Sequence, residues 1–559
     1  VPDYVIVGAG SAGCVLANRL SADPAVSVTL IEAGSVDRSP LLHVPAGMLT
    51  LAMRGLYQWP YQTTPQTHVD GRVLYSPRGK VLGGSSSING MTYSRGRAED
   101  YDGWAEAGNP GWSYAEVLPY FKRAETYLPG ANAFHGADGP IQVSRPGIVH
   151  PLTKIWLQAG AEAGLPYTED HSGAQFEGLT PMDMTAARGR RSSTSVAYLR
   201  PIRGRRNLTV ITGAQATRIL LEGRRATGVE YLLAGKAHRL PARKELILCL
   251  GAVASPQLLM LSGIGDPAHL QAHGITPLIE LPGVGENLQD HLSISVKQAC
   301  TQPISLFDYF NPFKAGGAML RYLLFRDGPL GKPGTESLAF LKTLPEHAAP
   351  DVEFFFVLML YQQNGREMIK QHGFQVVMNI LRPESRGTLR LRSNDPLDMP
   401  ALDPNFLSSA EDRRMLRDGI RLARRIFAQP AFAPYRGAEL NPGADVQSDA
   451  ALDAYLRAQG EAFYHSVGTC KMGNDAEAVV DGQLRVHGAE ALRVVDASIM
   501  PRMISGNTNM PVIMIAEKAA DMVLGKPALA PAAPAAETGV QDARSKGVVK
   551  DRADHLATP

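Results

Sequence analysis

The chain has little of what marks several common protein classes. Its 559 residues include only four cysteines, Cys14, Cys249, Cys300 and Cys470, at spacings that give neither a disulfide framework nor a zinc site, so no metal and a reducing, cytoplasmic setting are expected. No apolar run reaches the roughly 18 residues needed to span a bilayer, which restricts any contact with the inner membrane to a peripheral one. Charge of one sign is also lacking: 56 Lys and Arg against 54 Asp and Glu leave a net +2. That balance argues against nucleic acid as a partner, and Arg203-Gly204-Arg205-Arg206 reads as a solvated loop. There is no internal repeat and no Gly-x-Ser-x-Gly nucleophile elbow, the usual hydrolase signal. Val1 stands where an initiator Met is usual, which is compatible with a removed leader.

What is present is a soluble enzyme's composition, 44% hydrophobic and 20% charged, in a chain long enough for at least two domains. Its sharpest feature is Gly8-Ala9-Gly10-Ser11-Ala12-Gly13, placed between the apolar stretch Tyr4-Val5-Ile6-Val7 and a helix beginning near Ser11. This order reads as a dinucleotide-binding βαβ unit: the first Gly permits the turn, the second admits a pyrophosphate, and the third lets helix and strand pack closely. Glu32, at the end of Val28-Thr29-Leu30-Ile31, is placed to accept ribose hydroxyls, which favours FAD or NAD over NADP. The helix N-terminus would hold the pyrophosphate.

Residues 40–80, rich in Pro, Gly and Tyr, read as extended chain around the cofactor. Short strands follow at 208–211, 218–221 and 229–232, and Glu245-Leu246-Ile247-Leu248-Cys249-Leu250 reads as a buried parallel strand returning to the nucleotide sheet. Between 300 and 455 nucleotide signals vanish; runs 354–360 and 374–378 predict strands of a substrate domain. Leu492-Arg493-Val494-Val495-Asp496 is another buried strand, and Pro511 opens an apolar helix through Leu524, stopped by Gly525. The fold class expected is α/β, α+β overall: a Rossmann-like cofactor domain (1–155, 191–300, 456–525) interrupted by a substrate domain on an antiparallel sheet with helices (156–190, 301–455). The Ala/Pro-rich tail, 526–559, is expected to be disordered.

Four further segments carry chemistry. Gly79-Lys80-Val81-Leu82-Gly83-Gly84-Ser85-Ser86-Ser87-Ile88-Asn89-Gly90 is a second glycine-rich site, with small residues for close approach and Ser and Asn for hydrogen bonds. Gly251 to Gly265 reads as a strand end, a capped helix and a glycine stop. Tyr464-His465-Ser466-Val467-Gly468-Thr469-Cys470 and Gly506-Asn507-Thr508-Asn509-Met510-Pro511 lie near the C-terminus. Together these segments resemble the signature and active-site motifs of the glucose–methanol–choline (GMC) oxidoreductases, FAD-dependent enzymes that oxidise alcohols, in their choline-dehydrogenase-like branch.

The resemblance implies that FAD is held by Gly8, Gly10, Ser11, Ala12, Gly13, Glu32 and Ala33 at the nucleotide end. Gly83, Gly84, Ser85, Asn89, Gly90 and Met91 follow along the cofactor, with Ala216 near adenine and Asp496, Ala497, Asn509 and Met510 around the flavin. It also implies His465 as the base that takes the alcohol proton while hydride moves to flavin N5, with Asn509 bonded to the same oxygen. Tyr464 and Glu336 are candidate substrate contacts, Glu336 as an attractor for a cationic substrate. The other histidines, His291 among them, read as structural or exposed. Ile88 stands where some relatives carry the His that binds flavin covalently, so noncovalent FAD is expected. Electrons would pass to a quinone or other acceptor; an O2-using oxidase is the alternative, and a lyase or light-driven decarboxylase on the same scaffold is the reading from another class. The particular alcohol and the oligomeric state are left open.

Overall fold

The computed structural model describes residues 1–533. The chain opens with β1 (Tyr4–Val7), α1 (Ser11–Leu20) and β2 (Val28–Glu32), followed by α2 (Gly47–Arg54). It supplies β3 (Gly178–Pro181) to a second layer and returns as β4 (Leu208–Thr212), β5 (Glu245–Leu248) and α3 (Gly251–Leu261). The second layer then takes β6 (Leu292–Cys300), α4 (Pro312–Phe325), β7 (Thr335–Leu341), β8 (Val352–Val357), β9 (Gly373–Ile380), α5 (Ala410–Phe427) and β10 (Arg436–Asn441). Finally β11 (Leu492–Val494) and α6 (Asn509–Val523) rejoin the first.

Two sheets result. The first is parallel, in the order β4-β2-β1-β5-β11; β1, β2 and β11 are buried along their whole length, as parallel strands covered on both faces must be. The second is antiparallel, in the order β10-β6-β9-β8-β7-β3, with the short strand Glu461–Ala462 also paired to β6. Its central strands are buried at every position because both faces are used. Phe354, Phe356, Val376 and Met378 pack with α5 residues such as Leu416 and Ile420, while Phe355, Val357 and Val377 pack with Leu338 and Phe340 on the opposite face.

Three details differ from the sequence reading. The 40–80 segment carries α2, whose apolar run ends on Gly55 in the left-handed conformation, φ 61°. The strand expected over 354–360 stops at Val357, where Leu358 N–H turns to the Gly334 carbonyl. The last helix starts at Asn509, two residues before Pro511, whose missing N–H falls in the first turn and costs no helical hydrogen bond. Of the tail, the start is engaged: Leu529 N–H donates to the Tyr120 hydroxyl at 3.0 Å and Ala532 N–H to the Ala115 carbonyl at 2.7 Å. Residues 534–559 of the expected disordered stretch lie outside the described residues.

Candidate active site

One long cavity runs between the C-terminal ends of the parallel strands and the antiparallel sheet. It encloses about 2430 Å³ of space, open mouth included, and runs from Gly8 and Glu32 at one end to His465 and Phe355 at the other.

Gly8, Gly10, Ser11, Ala12, Glu32 and Ala33 line its first end. Gly8 has φ +99°, and a Cβ on Gly13 would stand 1.8 Å from the Gly8 carbonyl oxygen. Gly13 therefore shapes the turn from behind and is not itself in the wall. A Cβ on Gly84 would come within 2.6 Å of Gly10 Cα, so the two glycine loops abut. Gly34, which the sequence reading passed over, is as constrained, with Lys80 backbone 2.1 Å from its missing Cβ. Glu32 accepts from Ala9 N–H and Gly34 N–H at 2.8 Å each. Burial pushes its carboxyl up to about 7, against the lowering by those two amides. Each oxygen keeps a second lone pair for a ligand hydroxyl. Ala216 lines a side chamber with Gln215 and Ile31 that shares Gly8, Ala33 and Trp59 with the main cavity.

Gly84, Ser85, Asn89, Gly90 and Met91 line the middle. Gly83 does not; its N–H donates to the Ala9 carbonyl at 2.8 Å, fixing one glycine loop to the other. Asp496 and Ala497 are in the wall, yet both Asp496 oxygens are occupied. They accept from Gly251 N–H and Ser255 Oγ at 2.9 and 2.6 Å and from Ser498 N–H and Oγ at 2.8 and 2.6 Å. That carboxylate ties β11 to α3. Met510 is buried within α6 and does not reach the cavity.

At the far end stands His465, preceded by Tyr464 in the left-handed region, φ 68°; both line the cavity. Its backbone N–H donates to Asp290 Oδ1 at 2.7 Å, and Ser466 Oγ donates to Asp290 Oδ2 at 2.6 Å, so Asp290 fixes the loop. The His465 ring lies between two partners that the sequence reading missed. His291 Nδ1 is 2.9 Å from His465 Nδ1, and Asn507 Nδ2 is 3.2 Å from His465 Nε2.

The protons follow from what each group can do. His291 Nε2 lies 3.1 Å from the Leu381 carbonyl, which only accepts, so Nε2 carries the proton. Burial pushes His291 down to about 4, leaving its Nδ1 a lone pair at neutral pH. His465 must then donate from Nδ1, and its Nε2 lone pair faces the Asn507 amide in the cavity. Desolvation, then His291, then Arg78 hold the His465 ring well below the ordinary histidine value.

Two expected assignments change. Asn509 does line the cavity, but as the first residue of α6 it turns to the nucleotide end, where its Oδ1 accepts from Ser11 Oγ at 2.8 Å. Asn507, two residues earlier and outside the helix, takes the place beside His465. Glu336 is not in the wall: Lys332 Nζ is 2.5 Å away, and Val149 and His150 N–H groups donate to it at 3.2 and 2.9 Å. The doubled asparagine of Gly506-Asn507-Thr508-Asn509 was the available signal for Asn507; for His291 only its neighbour Asp290 was.

The sequence matches the GMC oxidoreductase N-terminal family model over residues 2–293 and the C-terminal one over 383–516. The chain belongs to the GMC oxidoreductase family. Among curated GMC relatives, human mitochondrial choline dehydrogenase is 49% identical over 535 residues, covering 94% of this chain and 90% of its own length. An oxygen-dependent choline dehydrogenase of Ectopseudomonas mendocina is 46% identical over 528 residues, 93% and 94% of the two chains. Of solved structures, pyridoxine 4-oxidase from Mesorbium loti superposes with a TM-score of 0.86 at 33% identity, covering 94% of this chain and all of that one. The fold is thus the GMC one, a Rossmann-like cofactor domain joined to a substrate domain.

Proposed function

We infer that this protein is an FAD-dependent oxidoreductase that converts an alcohol to an aldehyde or ketone. The observation that carries the reading is the His291–His465–Asn507 chain, which presents an unprotonated Nε2 to a cavity built for a dinucleotide. The residues present fit FAD: the Gly8 to Gly13 turn and Ser11 would hold the pyrophosphate at the α1 N-terminus, Glu32 the ribose, the Ala216 chamber the adenine, and Gly84 to Met91 with Asn509 the flavin. When bound, FAD supplies the acceptor for the two electrons of the substrate C–H bond.

The chain's own residues manage the hydroxyl proton. An alcohol resembles water in acidity, with a pKa of roughly 16, so free alkoxide is unavailable near neutrality. His465 Nε2 takes the proton as the C–H bond breaks, and Asn507 Nδ2 donates to the same oxygen and orients it. Asn507, Thr508 and Asn509 at the N-terminus of α6 line the cavity, and the positive end of that helix favours negative charge there. Mixing the yellow holoenzyme with alcohols in the dark without oxygen tests the reading: the flavin should bleach, and a panel of primary, secondary and aromatic alcohols that leaves it oxidised refutes it. Because Ile88 carries no nucleophile, we expect acid denaturation to release all FAD into the filtrate; flavin retained on the precipitated chain refutes noncovalent binding.

The electrons then pass to a quinone or other carrier in a reducing, cytoplasmic setting, in keeping with four unpaired cysteines. No helix among the described residues is long and apolar enough to cross a membrane. A peripheral contact is supported by α4, which buries only Ala318 and Tyr322. Its opposite face presents Phe313, Leu320 and Leu324 at 90%, 59% and 65% exposure, with Lys314 and Arg321 on one flank. Both of those cations are paired, Lys314 with Asp308 at 2.6 Å and Arg321 with Asp327 at 2.7 Å, so it is the apolar ridge that suits the surface of a bilayer. The holoenzyme should co-sediment with vesicles containing phosphatidylglycerol, and a Leu320→Glu, Leu324→Glu variant should stay in the supernatant with its dye-linked activity intact. Equal sedimentation of the two proteins would remove α4 from the contact.

A further inference from the structure

We propose that the substrate is an uncharged alcohol with an apolar body, and that the cavity discriminates against quaternary ammonium alcohols. This rests on the alcohol-oxidation reading above and adds the charge of the molecule that the site accepts.

The chamber beside His465 has an apolar floor. Phe355, Val357 and Val377 project into it from one face of β8 and β9, and Met359 and Phe463 complete the wall. Apolar surface of this kind favours an apolar substrate body. A cation would need either a carboxylate or an open aromatic face. Among the described residues in the cavity wall the carboxylates are Glu32 and Asp496. Glu32 lies at the nucleotide end, and every oxygen of Asp496 is bonded to neighbouring amides and hydroxyls. Glu336, next in sequence to the wall residue Thr335, is held by Lys332 and two backbone amides outside the cavity.

The charged side chains that do face the far end are cations. Arg78 and Arg366 both line it. Behind the wall Arg78 is 3.7 Å from Asp290, while Glu461 is 2.7 Å from Arg72 and 3.7 Å from Arg366. Three guanidinium groups thus share two carboxylates, and the surroundings of the chamber are positive. Two aromatic faces are already taken by the protein's own cations: Arg366 lies 4.6 Å over the Tyr75 ring and Lys80 3.7 Å over the Trp59 ring. Phe463 is perpendicular to His465 and tilted against Phe355. A trimethylammonium group entering here would lose its hydration, gain no counter-ion, and face the guanidinium groups of Arg78 and Arg366. The same positive surroundings favour the negative charge that develops on an alcohol oxygen as His465 removes its proton.

The test compares two molecules of one shape on the holoenzyme. Choline and 3,3-dimethylbutan-1-ol differ in having nitrogen or carbon at the branched centre, so only charge separates them. The second-order rate constant of anaerobic flavin reduction should favour the neutral alcohol by at least about 100-fold, the scale at which an uncompensated charge in a polar-lined site is rejected. Choline reducing the flavin as fast as its neutral isostere, or faster, overturns the proposal and leaves the alcohol reading intact. If neither these nor any alcohol of the panel bleaches a flavin that dithionite does bleach, the alcohol reading falls and this proposal with it. Arg366→Gln provides the second arm: removing the cation over Tyr75 should narrow the ratio by at least about tenfold. An unchanged ratio in that variant overturns the charge argument.

Discussion

Replacing His465 with alanine will leave FAD bound and slow anaerobic flavin reduction by alcohol at least about 100-fold, the lower bound for loss of a general base. The flavin should stay because the nucleotide contacts lie at the other end of the cavity, at Gly8 to Ala33. The rate should fall because His291, the other imidazole there, points Nε2 at the Leu381 carbonyl and Nδ1 at His465, so it presents no base to substrate. The wild-type pH profile carries the complementary signature. A base that works unprotonated is lost as pH falls through its pKa, and burial holds His465 well below the usual value. Reduction rates at pH 6 and pH 8 should therefore agree, without the inflection near about 6.5 that an unperturbed histidine gives. Near-normal reduction in His465→Ala, or an inflection at that pH in the wild type, would sink the assignment.

Gly13→Ala is the second large effect, and it acts on the cofactor. The added methyl would meet the Gly8 carbonyl oxygen at 1.8 Å and its carbon at 3.0 Å. Both belong to backbone held between β1 and α1, so neither can swing aside as a side-chain tip would. Overpacking costs typically about 1–3 kcal/mol even where side chains adjust, and relief here requires α1 to lift away from the turn that presents Ser11 and Ala12. The variant should purify colourless, with a flavin-to-protein absorbance ratio near zero and a lowered thermal midpoint. Gly10→Ala makes the contrast: its methyl would find only the Cys249 carbonyl, 3.8 Å away, so the apoprotein should fold normally. A yellow Gly13→Ala protein with an unshifted midpoint would contradict this account.

Local pattern made the nucleotide half legible. β1, α1 and β2 fall where apolar runs and glycines place them, and Glu245–Leu248 pairs in parallel with β1, because buried parallel strands announce themselves by continuous apolarity. The far end was less legible for a geometric reason. Asn507 and Asn509 are alike in sequence, and only the start of α6 decides which one turns to His465. His291 is brought to His465 by the pairing of β6 with Glu461–Ala462, a contact across 174 positions that no local pattern encodes. Glu336 sits in a strand buried at every position; sequence marks it as a carboxylate near the substrate layer, and only the fold reveals Lys332 as its partner.

The parallel sheet also sets a timetable for synthesis. β5 stands between β1 and β11, and β11 is made long after it, so one row of β5 backbone groups stays unpaired while β6 to β10 of the antiparallel layer are being translated. At about 5–20 residues per second that interval lasts on the order of tens of seconds, during which an open, apolar strand edge is a template for misassociation. The cavity wall, drawn from Gly8 to Val512, cannot be complete before α6 leaves the ribosome. Cofactor loading is therefore a late event in the life of each molecule, and a cell producing this protein quickly will depend on flavin supply and chaperone capacity to convert nascent chains into yellow enzyme.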